Sequence, residues 1–266
     1  MDSFFFLVMF AGTVAGASTG LLGVYIVGMR MPFIGVCISH SAMAGTIYSI
    51  LLGVNPVWGA AIFSALSSMS LAAIRPGRSR LDANVALAIL FNLMLGLTFL
   101  GIGLIKGSRS EVLGLLWGSL LFVRMSSVVT ITILGLVFVV FAILFNKELK
   151  ALLFSRTIAS ATGVHESFVY CLFLALCGLI LAVNLPLVGG LMIFSLITCP
   201  AAAAYQICTG YRSVIFAATV FGAISALVGF LVSYYLNLPT GACIVIVSAT
   251  IFTISALYRA LRCQLN

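Results

Sequence analysis

Hydrophobic residues run through this chain in long blocks, and short polar or basic stretches separate one block from the next. The blocks fall at about 4–28, 32–53, 56–74, 83–105, 125–145, 166–184, 187–209, 213–236 and 240–258. A bilayer core about 30 Å thick takes roughly 20 apolar residues of helix to cross, and each block is near that length. The runs are continuous, without the apolar–polar alternation of barrel strands, so they predict helices. The expected fold is therefore all-α: a polytopic helical membrane protein with about nine transmembrane helices, forming a single transmembrane domain over 1–266. Val112 to Val123 is apolar but too short to cross, and a re-entrant or interfacial helix is expected there. Phe4 to Val27 follows Asp2 without a basic leader and is too long for a signal-peptide core, so it reads as the first span.

Composition agrees with this pattern. The chain is 63% hydrophobic and 7% charged over 266 residues, too little charge to solvate a soluble domain of that size. The few charges set an orientation. With the N-terminus outside, ten basic residues face the cytoplasm (Arg30, Arg75, Arg78, Arg80, Lys147, Lys150, Arg156, Arg212, Arg259, Arg262) and three face outward (Lys106, Arg109, Arg124). The positive-inside rule then places the N-terminus outside and the C-terminus in the cytoplasm. The net charge of +8 is explained by topology and lipid headgroups and does not imply a nucleic-acid partner. Seven cysteines show no C-x-x-C spacing, so neither a disulfide framework nor a structural zinc site is expected.

Polar groups at membrane depth are costly to hold there and therefore informative. His40 lies in the middle of the second span, within GVCISHSAMAG. Imidazole is the commonest protein ligand for transition metals and can carry protons; the alternative is a histidine hydrogen-bonded between helices. Cys37, three residues earlier, falls on nearly the same helix face. A Cys/His pair suits a borderline cation such as zinc, though Cys37 also reads as a packed thiol. Asp82 reads as a helix cap balancing nearby arginines, and Asn84 and Asn92 as interhelical hydrogen bonders. In the seventh span, Gly189, Gly190, Pro200 and a run of four alanines describe a kinked, closely packed helix, either a pathway wall or a structural bend. Gly12, Gly16 and Gly20 form a small-residue face in the first span, read as packing within the chain.

The longest loop on the basic side, Asn146 to His165, is compatible with a short amphipathic helix. It reads either as an ordinary solvated loop or as a docking surface for a partner. No G-x-x-x-x-G-K-[ST] loop occurs, so ATP-driven transport would need the ATPase on another polypeptide. No nucleophile–base set or carboxylate pair appears, which argues against an enzyme.

Several segments together resemble the membrane subunits of bacterial ABC importers for zinc, manganese or iron. MPFIGVCISHSAMAG (31–45) is similar to that family's Gly-Asp-x-x-Ser-His-x-x-x-x-Gly motif in the second span. LDANVALAILFN (81–92), LGLLWGSLLFV (113–123), LKALLFSRTIASATGV (149–164), VGGLMIFSLITCPAAAA (188–204) and LPTGACIVI (238–246) resemble further family segments, in order, over most of the chain. The resemblance implies a permease subunit in the bacterial cytoplasmic membrane that moves a divalent metal ion by alternating access and keeps no permanently bound cofactor. The implied partners are a cytoplasmic ATP-binding subunit, an extracytoplasmic metal-binding protein, and a second permease copy or a paralogue. His40 would line the metal path, with Cys37 as a second donor. The segment 146–165 would couple to the ATPase through Leu149, Leu152, Phe154, Ile158, Ala159 and Gly163. Two departures stand out: Val36 occupies the position of the family aspartate, and Ser155–Arg156 stand where an acidic residue and a proline are common. The competing readings are a self-sufficient secondary carrier or channel, and an importer of metal chelates.

Overall fold

The computed structural model describes residues 2–73, 83–105, 125–154, 159, 166–190 and 193–265. Ten helices account for nearly all of them, and no strand occurs among the described residues. They are α1 (Asp2–Gly28), α2 (Phe33–Leu51), α3 (Pro56–Ala73), α4 (Ala83–Leu104), α5 (Met125–Leu144), α6 (Asn146–Phe154), α7 (Glu166–Val188), α8 (Ile193–Ile207), α9 (Tyr211–Leu236) and α10 (Thr240–Leu265). Seven of these (α1, α2, α4, α5, α7, α9 and α10) are long and apolar enough to cross a bilayer; α3 and α8 are apolar but shorter. The expected spans and the observed helices coincide closely except in two places. The sixth span was expected to end at about 184 and the seventh to begin at about 187, yet α7 runs on to Val188 with Pro186 inside its last turn. The helix stops three residues later at Gly189, whose φ of +91° only glycine adopts without strain. The last helix also runs past 258 to Leu265. The short segment expected at Val112 to Val123 lies outside the described residues, as does Asp82.

Small residues decide which helices touch. A Cβ added at Gly16 would overlap the Gly222 carbonyl, and one at Gly20 the Ala218 carbonyl, so the backbones of α1 and α9 are in direct contact. The glycine face of the first span is thus used within the chain, as expected, except that Gly12 faces open space. Gly45 and Gly59 bring α2 and α3 together in the same way. Close backbone approach of this kind replaces the hydrophobic drive that lipid cannot supply.

The α1 helix ends in a Schellman-type turn. Met31 N–H bonds Ile26 O at 3.3 Å, and Arg30 takes the left-handed position at φ 59°. Nothing masks the lipid-facing character of the outer helices. α4 and α5 expose Ile89, Leu93, Phe99, Ile133, Leu136 and Ile143. In water such a surface would aggregate; in a bilayer it is the expected exterior. By contrast, α2 packs against α3, α4, α7 and α8 and is the most enclosed of the elements.

Candidate functional site

Between Ile34 and Ile47 every residue of α2 is buried except Val36, which is half-buried. His40 is 5% exposed at the centre of this stretch. Its ring stands edge-on to Phe91 of α4, with centroids 4.9 Å apart and planes at 82°. Nδ1 of His40 is buried with no hydrogen-bond partner. A satisfied structural histidine would have both nitrogens engaged, and leaving a buried polar atom unpaired costs about 1–3 kcal/mol. The imidazole is therefore held in place by packing while one nitrogen stays free for a ligand.

Cys37 does lie on the α4-facing side with His40. Its Sγ, however, donates to the backbone oxygen of Leu87, 3.2 Å away on α4 and one turn before Phe91. The thiol is thus already committed, and it fixes how α2 sits on α4. The position that opens most in this part of α2 is Val36, one turn before His40 on the same face and the place where the resembled motif carries an aspartate. Among the described residues no group of three or more His, Cys, Asp or Glu could hold a metal ion. A tetrahedral zinc site takes four protein ligands when structural and three when catalytic, more than the described residues bring together around His40.

The α7–α8 junction adjoins this region. A Cβ on Gly190 would meet Met43 Sδ of α2 at 2.9 Å, so the backbone at Gly190 lies directly on α2. Pro200 is buried in the middle of α8, where it has no N–H to give to the carbonyl one turn back. Just before it, the Ile197 carbonyl meets α1 at Gly23, and the Ile197 side chain meets α2 at Gly35. Pro200 thus sits just beyond the residue that pins α8 to both helices.

The residues expected to couple to an ATPase divide into two sets. Leu149 and Leu152 of α6 are buried against the bundle and seat the helix, and Ala159 is buried as well. Phe154, at the last position of α6, is 87% exposed. Ile158 and Gly163 lie outside the described residues. Of the polar residues in α4, Asn92 is on the exposed face, with no interhelical bond to another described residue.

Two polar features escaped the sequence reading. Asn184 of α7 is fully buried; its Nδ2 approaches Ser18 Oγ of α1 at 3.5 Å and its Oδ1 has no partner. Ser195 of α8 contacts Ser248 Oγ of α10 at 3.0 Å and Cys199 Sγ at 3.4 Å. Serine and cysteine carry no signal in an apolar run, because each commonly bonds a carbonyl of its own helix. A lone asparagine in a span is such a signal, by the same cost argument that singles out His40.

A model of the ABC 3 transport family matches residues 1–259. The chain is 29% identical over 256 residues to "Manganese transport system membrane protein MntC" of Listeria monocytogenes, covering 96% of this chain and 91% of that one. It is 26% identical to "High-affinity zinc uptake system membrane protein ZnuB" of Haemophilus influenzae, covering 97% and 99% of the two chains. Among solved structures it is similar to PsaBC from Streptococcus pneumoniae in complex with Fab, at a TM-score of 0.84 and 27% identity, covering 97% of this chain and 95% of that one.

Proposed function

The chain belongs to the ABC 3 transport family, and on that premise we propose that it is the permease subunit of an ATP-binding-cassette importer that moves a divalent transition metal by alternating access. The observation that carries this reading is the buried His40 with its free Nδ1, set in the most enclosed helix of a membrane bundle. A transported ion must bind well enough to enter and weakly enough to leave. One imidazole, with no carboxylate grouped with it among the described residues, meets that condition. His40 is the transient ligand. Cys37 holds α2 in register on α4 and is a second donor only if its thiol leaves Leu87.

Manganese and zinc, which the names of the relatives carry, are the leading candidate cargoes, with iron beside them. The basic ends support an N-out, C-in orientation. Lys150 meets Tyr211 beside Arg212, and Arg259 bonds Gln206, which gathers basic residues from α6, α9 and α10 at the end of the bundle where α1 closes with Arg30. In this reading that end faces the cytoplasm. There α6 offers Phe154 to a separate ATP-binding subunit, while an extracytoplasmic metal-binding protein delivers the ion from the opposite side. A second permease copy or a paralogue completes the transporter.

Metal uptake into proteoliposomes containing the permease, its ATPase and its binding protein tests the proposal. Manganese, zinc and iron are compared in wild type and His40→Ala. The expected result is uptake of at least one metal that falls by about tenfold or more in His40→Ala, equivalent to 1.4 kcal/mol. Unchanged uptake in a folded, inserted His40→Ala protein would remove His40 from the path.

A further inference from the structure

At the end of the bundle that carries α6, three aromatic hydroxyl side chains bind helices together that are far apart in sequence. Tyr25, in the last turns of α1, is completely buried. Its ring meets Phe138 of α5 and Phe173 of α7 edge-on, with centroids 6.0 Å and 5.9 Å away. Its hydroxyl pairs with the hydroxyl of Tyr211, the first residue of α9, at 3.0 Å. The ring of Tyr211 lies beneath Lys150 of α6, with Nζ 4.7 Å from the ring centroid. Lys150 itself is exposed and has no buried contact to maintain. Tyr205, in the last turn of α8 and beyond Pro200, donates to Val24 O of α1 at 2.9 Å. Gly28 leaves room for both neighbours: a Cβ there would come within 2.5 Å of Leu153 of α6 and of the Tyr205 hydroxyl.

These contacts converge on Val24 to Gly28 of α1. On one side the segment receives α6, directly through Leu153 and indirectly through Lys150 and Tyr211. On the other side it holds the end of α8. Leu149, Leu152 and Leu153 of α6 make apolar contacts with the bundle, and such contacts carry no fixed direction. A cation over a ring and a hydroxyl pair have fixed geometry and transmit displacement in a defined direction.

We propose that Lys150, Tyr211 and Tyr25 are positioning residues that convert movement of α6 into movement of α1, and through Tyr205 into movement of the α8 segment beyond Pro200. This inference rests on the permease reading, in which α6 is the element that a separate ATPase moves. None of the three residues contacts the transported ion. Their loss lowers the metal moved per ATP hydrolysed while ATPase binding and ATP hydrolysis persist.

The test is the ratio of metal taken up to ATP hydrolysed in proteoliposomes containing the whole transporter, with manganese and zinc as probes. Lys150→Met removes the cation at an exposed position, Lys150→Arg keeps it, and Tyr211→Phe keeps the ring but removes the bond to Tyr25. The expected result is a ratio lowered about two- to fivefold in Lys150→Met, the shift that loss of an exposed cation–π contact gives a two-state equilibrium. Tyr211→Phe lowers the ratio similarly, Lys150→Arg restores it, and the amount of ATPase bound is unchanged throughout. Equal ratios in all variants would overturn the proposal. So would a Lys150→Arg protein as defective as Lys150→Met, or a loss of uptake that follows loss of bound ATPase. Failure of the permease reading shows separately, as absence of ATP-dependent uptake in the wild-type complex.

Discussion

His40 and Cys37 are three residues apart on one helix, yet the structure gives them different tasks. His40 keeps Nδ1 free, while the thiol of Cys37 is spent on Leu87. Serine in place of Cys37 still donates to that carbonyl, whereas valine does not. Cys37→Ser should therefore retain metal uptake within about twofold, and Cys37→Val should lower thermal stability in detergent by about 0.5–1.5 kcal/mol, the worth of one buried hydrogen bond. A large loss of uptake in Cys37→Ser, with stability unchanged, would make the thiol a ligand after all. Val36, half-open on the His40 face, gives a complementary test. A carboxylate is a harder donor and favours manganese over zinc. Val36→Asp should raise the manganese-to-zinc uptake ratio by roughly tenfold, about 1.4 kcal/mol of discrimination. An unaltered ratio would show that the ion does not pass this position.

At the scale of elements, glycine placement governs the packing. Gly16 faces the backbone of Gly222, so Gly16→Ala must push α1 and α9 apart, at a cost of about 1–3 kcal/mol. Gly12 is on the same stripe but has nothing within 4 Å, and Gly12→Ala should be neutral or slightly stabilising because alanine favours the helix. Melting temperatures of the two variants in one detergent decide this; equal effects would contradict the assigned packing. The stripe was legible from four-residue spacing, but its partner was not, because contact between α1 and α9 depends on the tertiary arrangement. The spans were legible for the same reason that they exist: a bilayer demands about 20 apolar residues in a row. The end of α7 was not. Proline is the louder signal in the sequence, yet the last turn of a helix tolerates it, and Gly189 makes the break. The α6 helix was legible as an element, but the division of its side chains into buried Leu149 and Leu152 and exposed Phe154 required the neighbours to be in place. Phe154→Ala should leave the permease folded and reduce co-purification of its ATPase; full retention of the ATPase would place the docking contact elsewhere.

Among its described residues the molecule is an apolar bundle with one enclosed histidine, His40, and with Lys150, Arg212 and Arg259 gathered at one end. That combination, with family membership over 1–259, favours an importer subunit over a self-sufficient carrier. A secondary carrier needs a coupling-ion site, commonly built from intramembrane acids or broken helices. Among the described residues no acid lies within a group able to hold a cation, and the acids described in the helices, Asp2, Glu148 and Glu166, lie at or near helix ends. His40 was legible as a polar group at membrane depth, because a histidine in a span is conspicuous. The linkage through Tyr25 and Tyr211 was not, since tyrosines near helix ends read as interfacial residues until their hydroxyls are seen to meet. The most direct test of the central claim is metal uptake by proteoliposomes carrying this permease with its binding protein, measured with an active ATPase, with an ATPase unable to hydrolyse ATP, and with none. Uptake with the active ATPase alone is the predicted result, and equal uptake in all three preparations would contradict the account and establish a carrier that works by itself.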